Sequence, residues 1–381
     1  ENLFKVLCKK KHKIILIGDC PGWVFHQIIL FVKKYFKNRL DIYYDFVIYH
    51  PKMEDPNIEK NNSSFIEKSY AKSLMFSKIP ILKGIEYRLI KYLNKLNLLS
   101  FNENGKFQRL NDENTYDLII FLDFYFQQDG DFSHVKAKKI IKGSYTDRFP
   151  PRNMFIDSES KKIFKLDNEK HFVDLFLKDS SAFIVGSEPI KRIYEKYFHP
   201  IYFLNLAYNE KVFKPVNTKR DSNIFYIGWT GNPNRDFKGY HTHIIPAVKE
   251  LKRRGLNVEL ISKFEGPLKE LPHFWKKVDL AVIASNADAG PSMFIEASLC
   301  GVPTVSTKIG LPSMIIQDNV NGLFCDRSID DIANKIEKLV HDQVLLNTMK
   351  KRIRNDFIKM AGVEVMKSRW LNFFKNELLH E

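Results

Sequence analysis

Short apolar runs alternate along the chain with stretches whose apolar positions recur at helical spacing. "KIILIGD" (13–19) precedes a helical pattern from about Trp23 to Asn38, and "DIYYDFVIYH" (41–50) follows it. Further on come "YDLIIFLDF" (116–124), "KKIIKGSY" (138–145), "SAFIVGS" (181–187) and "IYFLNLA" (201–207). After "FKPVN" (213–217) the pattern restarts with "NIFYIGW" (223–229), a helix near 241–254, "NVELISK" (257–263), "DLAVIAS" (279–285), "TVST" (304–307) and "NGLFC" (321–325). Runs apolar on both faces, separated by helices, predict parallel sheets covered by helices, an α/β class. The restart predicts two Rossmann-like units, 1–210 and 211–365. The closing "SRWLNFFKNELL" (368–379) carries an apolar stripe at helical spacing, so 366–381 is expected to dock back on the first unit. The polar, helix-prone stretch 52–115 has no place in this scheme.

Composition narrows the class. The 381 residues are 44% hydrophobic and 13% aromatic, a globular balance with room for two cores. Neither "IILIG" (14–18) nor "LIIFL" (118–122) approaches the roughly 20 apolar residues of a membrane-spanning helix. The chain begins at Glu1 rather than Met, which leads one to expect a segment ahead of it. Cys8, Cys20, Cys300 and Cys325 lack paired-ligand spacing and fit reduced thiols of a cytoplasmic protein.

Sixty Lys and Arg against 45 Asp and Glu give +15, which points to anionic partners. The basic residues gather at Lys9 to Lys13, in "FVKKYFKNRL" (31–40), and at Lys136, Lys138, Lys139 and Lys142. Because Phe31, Tyr35 and Phe36 interleave with Lys33, Lys34, Lys37 and Arg39, docking on an anionic membrane surface is expected of that segment. With no RNA-binding signature, zinc spacing or helix-turn-helix pattern, the composition weighs against nucleic acid as a partner.

Chemistry concentrates in "NADAGPSMFIEASLCGVPTVST" (286–307). A strand ends near Ser285, Ser292 stands where a helix N-cap belongs, and Gly301 stands where that helix ends. The amino end of the helix then points into the crevice above the strand ends, where anions bind. Asp288 precedes the helix and Glu296 lies a little over one turn inside it, so two carboxylates flank the place a diphosphate would take. "QQDGDF" (127–132) holds a competing acidic pair, Asp129 and Asp131, of the kind that carries a metal in the GT-A glycosyltransferases.

The run "DAGPSMFIEASLCGVPTVSTKIGLPSMIIQDNVNGLF" resembles the donor-site signature of the GT-B, family-4 retaining glycosyltransferases, and "YIGWTGNPNRDFKGY" (226–240) resembles that family's first strand, glycine loop and Lys-Gly. The resemblance covers most of residues 205–345. It implies a GT-B fold whose two Rossmann-like domains face each other across a cleft. The implied activity is transfer of a hexose, with retention and without a metal or other cofactor, from a UDP- or GDP-linked sugar to a glycan or lipid-linked acceptor. It further implies that Glu296 binds the ribose, that Asp288 touches the transferred sugar, and that Ala289, Gly290, Pro291 and Ser292 hold sugar and phosphate through the main chain. Gly228 and Trp229 fall on the donor-side strand, and Lys238 falls on the Lys-Gly. Two departures stand out. Asp288 is shorter than the usual Glu, and Trp229 stands where the family often has Arg, leaving Arg235 as the replacement cation.

On the acceptor side, Asp19, Gly22, Trp23 and His26 follow the first strand. Asp147 and Arg148 in "GSYTDRF" (143–149) lie where the family often places a His or acid near the reacting carbon. Surface-polysaccharide biosynthesis at the cytoplasmic face of a membrane is the setting this implies. A nucleic-acid-binding or DNA-glycosylating protein of the same fold, and a nucleotide-sugar epimerase, stay open as alternatives.

Overall fold

The structure, a computed structural model, describes residues 11–19, 24–47, 115–129, 132, 135–145, 155–156, 163–164, 166, 168–215, 223–264 and 268–379. Six strands, β1 (His12–Gly18), β2 (Leu40–Phe46), β3 (Thr115–Phe121), β4 (Lys136–Ser144), β7 (Ala182–Val185) and β8 (Ile201–Phe203), form a parallel sheet in the order β2-β1-β3-β4-β7-β8. Between β4 and β7, β5 (Phe155–Ile156) and β6 (Ile163–Phe164) make a small antiparallel pair. A second parallel sheet has the order β10-β9-β11-β12-β13, built from β9 (Phe225–Thr230), β10 (Val258–Lys263), β11 (Leu280–Ile283), β12 (Thr304–Ser306) and β13 (Leu323–Phe324). The alternation in the sequence thus corresponds to an α/β fold with two parallel sheets.

The strands are readable because they are buried on both faces. Ile14, Ile15, Leu16 and Ile17 of β1 have no exposure, and Leu280 to Ile283 of β11 have at most 1%. In each sheet the chain adds its second strand on one side of the first and then crosses to the other. β2 and β3 flank β1, and β10 and β11 flank β9. Such a reversal leaves a crevice at the carboxyl ends of the strands, where open α/β sheets take their ligands.

The helix Val24–Phe36 lies against β1 and β2, with Phe31 and Phe36 in the core and Lys34 and Lys37 outside. Two of the three aromatics in the membrane-docking expectation, Phe31 and Phe36, are committed to the core, Phe36 packing on Phe374 at 5.3 Å, while Tyr35 is half-buried. Among the described residues no helix is long and apolar enough to cross a membrane.

The final helix, Val363–Leu379, covers the first sheet. Trp370, wholly buried, donates its indole N–H to Asn205 O (3.1 Å), and Phe373 meets Tyr202 edge to face at 5.1 Å. Glu377 accepts from Tyr202 Oη (2.8 Å), while Lys139 Nζ caps the helix end at Glu377 O (2.9 Å). Arg354, in the helix Gln343–Ala361, ties the connection between the sheets by donating to Phe213 O (2.7 Å), Glu210 O (2.8 Å) and Leu299 O.

Truncating the anchor of the final helix tests its weight. Trp370→Ala should cost about 3–5 kcal/mol, the usual loss for a fully buried aromatic, measured by chemical denaturation, whereas a loss under about 1 kcal/mol would show the helix to be peripheral.

Candidate functional site

The crevice of the second sheet lies between the ends of β9 and β11. After β9 the chain turns through a short 3-10 segment, Asp236–Lys238, closed by Gly239 at φ +70°. A side chain at Gly239 would stand 2.6 Å from Ala284 O, so the turn rests directly on the end of β11. Asn286 N–H donates to Phe237 O (3.0 Å). Arg327, arriving from beyond β13, donates to Ala284 O (2.8 Å) and Asp236 O (3.3 Å). Two loops from opposite sides of the crevice are thereby stitched together.

Their side chains meet as a consequence. Lys238 Nζ donates to Asp288 Oδ2, with the two side chains 19% and 12% exposed. Asp288 Oδ1 accepts from Gly290 N–H (3.1 Å), which fixes the carboxylate against its own loop. The result is a half-buried ion pair at the mouth of the crevice, with the start of the next helix alongside.

That helix, Ser292–Leu299, is buried from Met293 onward. It ends in a Schellman turn, with Gly301 N–H on Ser298 O (3.0 Å) and Val302 N–H on Ala297 O (2.9 Å). A helix buried on all sides has no polar face, so its one acid must be satisfied internally. Glu296 Oε2 accepts from Trp275 Nε1 (3.0 Å) and from Thr230 Oγ1 (3.2 Å), the latter on the last residue of β9. Oε1 takes no donor among the described residues. Burial pushes the Glu296 carboxyl up to about 7, against the two hydrogen bonds that favour its ionised form.

The same loop touches the first sheet. Ala289 N–H donates to Tyr145 O at the end of β4 (3.4 Å). Gly186, at the end of β7, leaves room for both partners, since a methyl group there would stand 2.8 Å from the Tyr145 ring and 2.9 Å from Ala289 Cβ. Gly310, at φ +31°, packs against the carbonyls of Asp288 and Ala289, and Leu311 N–H donates to Ala289 O (2.8 Å). Asn205, buried, donates to Gly186 O (3.0 Å) from beyond β8.

Asp288, Lys238, Ala289 and Gly290 are therefore brought together, and Glu296, farther along the helix Ser292–Leu299, is held by Thr230 and Trp275. Ser292 is half-buried and is the first helical residue, one place inside the N-cap, which is Pro291. Arg235 is exposed at the start of the Asp236–Lys238 turn. Gly228 and Trp229 are tightly packed. A side chain at Gly228 would run into Val278 (2.5 Å), and the buried Trp229 ring lies 4.4 Å from Tyr240. His26 is buried between the helix and β2, 5.2 Å from the Phe46 ring. Asp19 sits half-buried at the end of β1. Gly22, Trp23, Asp147, Arg148, Asp131 and the side chain of Asp129 lie outside the described residues, as do Cys8, Cys20 and residues 52–114. Thr230, Trp275, Arg327 and Asn205, which complete the site, carry no local motif that singles them out.

The fold is that of the GT-B class, two parallel α/β units in one chain. Residues 245–356 match the family model described as "Glycosyl transferases group 1". The chain is 33% identical over 172 residues to the poly(ribitol-phosphate) alpha-N-acetylglucosaminyltransferase of Staphylococcus aureus (strain COL), a match spanning 44% of this chain and 27% of the relative. The structure of Anabaena HepE in complex with UDP and glucose aligns with a TM-score of 0.59 at 16% identity, covering 94% of this chain and 98% of the other. The sucrose-phosphate synthase of Thermosynechococcus elongatus aligns with a TM-score of 0.63 at 14% identity, covering 97% and 100%.

A raised carboxyl makes stability depend on pH. Glu296 stabilises the fold most fully below its unfolded value near 4.5, and that contribution is lost as pH rises through about 7. Wild-type protein should lose on the order of 3 kcal/mol between pH 4.5 and pH 8 from this group, and Glu296→Gln should flatten that segment of the curve. Parallel pH profiles from denaturant melts would place the raised carboxyl elsewhere.

Proposed function

We propose that this chain is a glycosyltransferase that moves a hexose from a nucleotide diphosphate sugar to a hydroxyl of a glycan or polyol acceptor, with retention at the anomeric carbon and without a metal. The observation that carries the proposal is the Lys238–Asp288 ion pair at the crevice of the second sheet, with the buried Glu296 behind it. In this reading Lys238 and the amino end of the Ser292–Leu299 helix face the diphosphate, where negative charge grows as the bond to the sugar breaks. Asp288 accepts hydroxyls of the transferred sugar, and the open Oε1 of Glu296 accepts those of the ribose. The chemistry named for the relatives supports UDP as the nucleotide, with glucose or N-acetylglucosamine as the sugar and a polyol-phosphate polymer as a first acceptor to try.

Two measurements test this. Losing hydrogen bonds to a charged group costs roughly 1.5–3 kcal/mol, so Lys238→Ala should lower kcat/KM for UDP-glucose or UDP-N-acetylglucosamine about ten- to hundredfold. EDTA should leave wild-type transfer intact. Transfer that dies with EDTA, returns with manganese and survives Lys238→Ala would contradict the metal-free clamp and direct attention to Asp129 and Asp131.

Glu296→Gln should weaken UDP binding in calorimetry while the folded state persists. Unchanged affinity would assign Glu296 to structure alone.

A further inference from the structure

The Lys238–Asp288 pair has unequal members. Asp288 is short, and its Oδ1 is held by Gly290 N–H of its own loop (3.1 Å), which fixes the carboxylate. The loop behind it has no room to retreat, because Gly310 packs against the carbonyls of Asp288 and Ala289. Lys238 reaches Asp288 Oδ2 on a four-carbon stem, and its Nζ also stands 5.2 Å from the centroid of the Phe237 ring. An ammonium with three donors on a flexible stem can turn toward a new anion, whereas the anchored carboxylate stays where it is.

That asymmetry decides what the crevice attracts. As a pair, Lys238 and Asp288 carry no net charge, and the cation is already engaged by a carboxylate and an aromatic face. A diphosphate that takes up Lys238 also comes beside the fixed Asp288 carboxylate. With the two side chains only 19% and 12% exposed, water and salt screen that repulsion weakly. A sugar attached to the diphosphate changes the balance, because its hydroxyls donate to the same carboxylate, and hydrogen bonds to a charged acceptor are the strong ones. Specificity is a difference of affinities, and a charge placed against the wrong ligand creates it as surely as a contact to the right one.

We infer that Asp288 is a specificity-determining residue whose charge opposes a bare nucleoside diphosphate and is offset only by the hydroxyls of an attached sugar. This rests on the glycosyltransferase reading above and gives the site a direction. Once the sugar has passed to the acceptor, the remaining diphosphate faces the Asp288 carboxylate alone, is held less tightly and leaves.

Asp288→Asn keeps the shape of the side chain and removes its charge. In calorimetry on the purified chain, UDP should bind this variant about three- to tenfold more tightly than the wild type, the size expected of one partly screened charge pair. UDP-N-acetylglucosamine or UDP-glucose, whichever the wild type binds more tightly, should gain nothing, so the preference for the sugar nucleotide over UDP shrinks by at least the same factor. Asp288→Glu, which restores the charge, should return UDP affinity toward that of the wild type. UDP affinity that is unchanged or weaker in Asp288→Asn would overturn the inference. So would equal gains for UDP and the sugar nucleotide, or an Asp288→Glu chain that binds UDP as tightly as Asp288→Asn. A variant that melts lower and loses both ligands in step would instead assign Asp288 to holding its loop. A wild type that binds neither UDP nor either sugar nucleotide overturns the glycosyltransferase reading itself, an outcome distinct from all of these.

Discussion

Backbone contact around the Asp288–Gly290 loop is the constraint on which the site depends. The loop is pressed between the end of β7 at Gly186, the end of β4 at Tyr145 and the first residue of the helix Gly310–Ile315, with no space for a side chain at either glycine. Main-chain atoms in van der Waals contact cannot slide as side chains do. The loop therefore has one position, and Asp288 is delivered to Lys238 with little entropy left to lose.

From that position the electrostatics follow. Lys238 comes from a turn that rests on Ala284 O and is held by Asn286 and Arg327, so both members of the pair are set by backbone rather than by each other. A half-buried pair between pre-set groups avoids the ordering cost that makes exposed salt bridges nearly worthless. Glu296 is the contrasting case. It is wholly enclosed, and two donors on one oxygen offset only part of its desolvation, which leaves it with a carboxyl near 7. A buried acid so incompletely satisfied is costly for a fold and suited to a ligand that brings further donors.

Much of this was legible in the sequence, and the limits have physical causes. Both sheets were readable because parallel strands buried on two faces appear as unbroken apolar runs. That same property hid the facing of Gly228 and Trp229, since a strand apolar on both sides gives no sign of which side meets a ligand. The spacing of Asp288 and Glu296 around a small-residue loop marked the loop that meets Lys238 at the crevice of the second sheet. Thr230 and Trp275, which donate to Glu296, and Arg327, which donates to Ala284 O, come from three other elements, and nothing local to those residues announces a contact made 21 or more positions away. The burial of His26 is legible in the helical spacing, because Ile29 and Val32 set the core face of its helix and His26 falls three positions before Ile29 on that same face.

Hydrogen exchange followed by mass spectrometry, with and without saturating UDP, tests the central claim most directly, because it locates the nucleotide without altering the chain. Binding at the crevice of the second sheet predicts slowed exchange in residues 230–239 and 286–296, with little change in β1 to β4. Protection confined to the first sheet, or none anywhere at saturation, would contradict it.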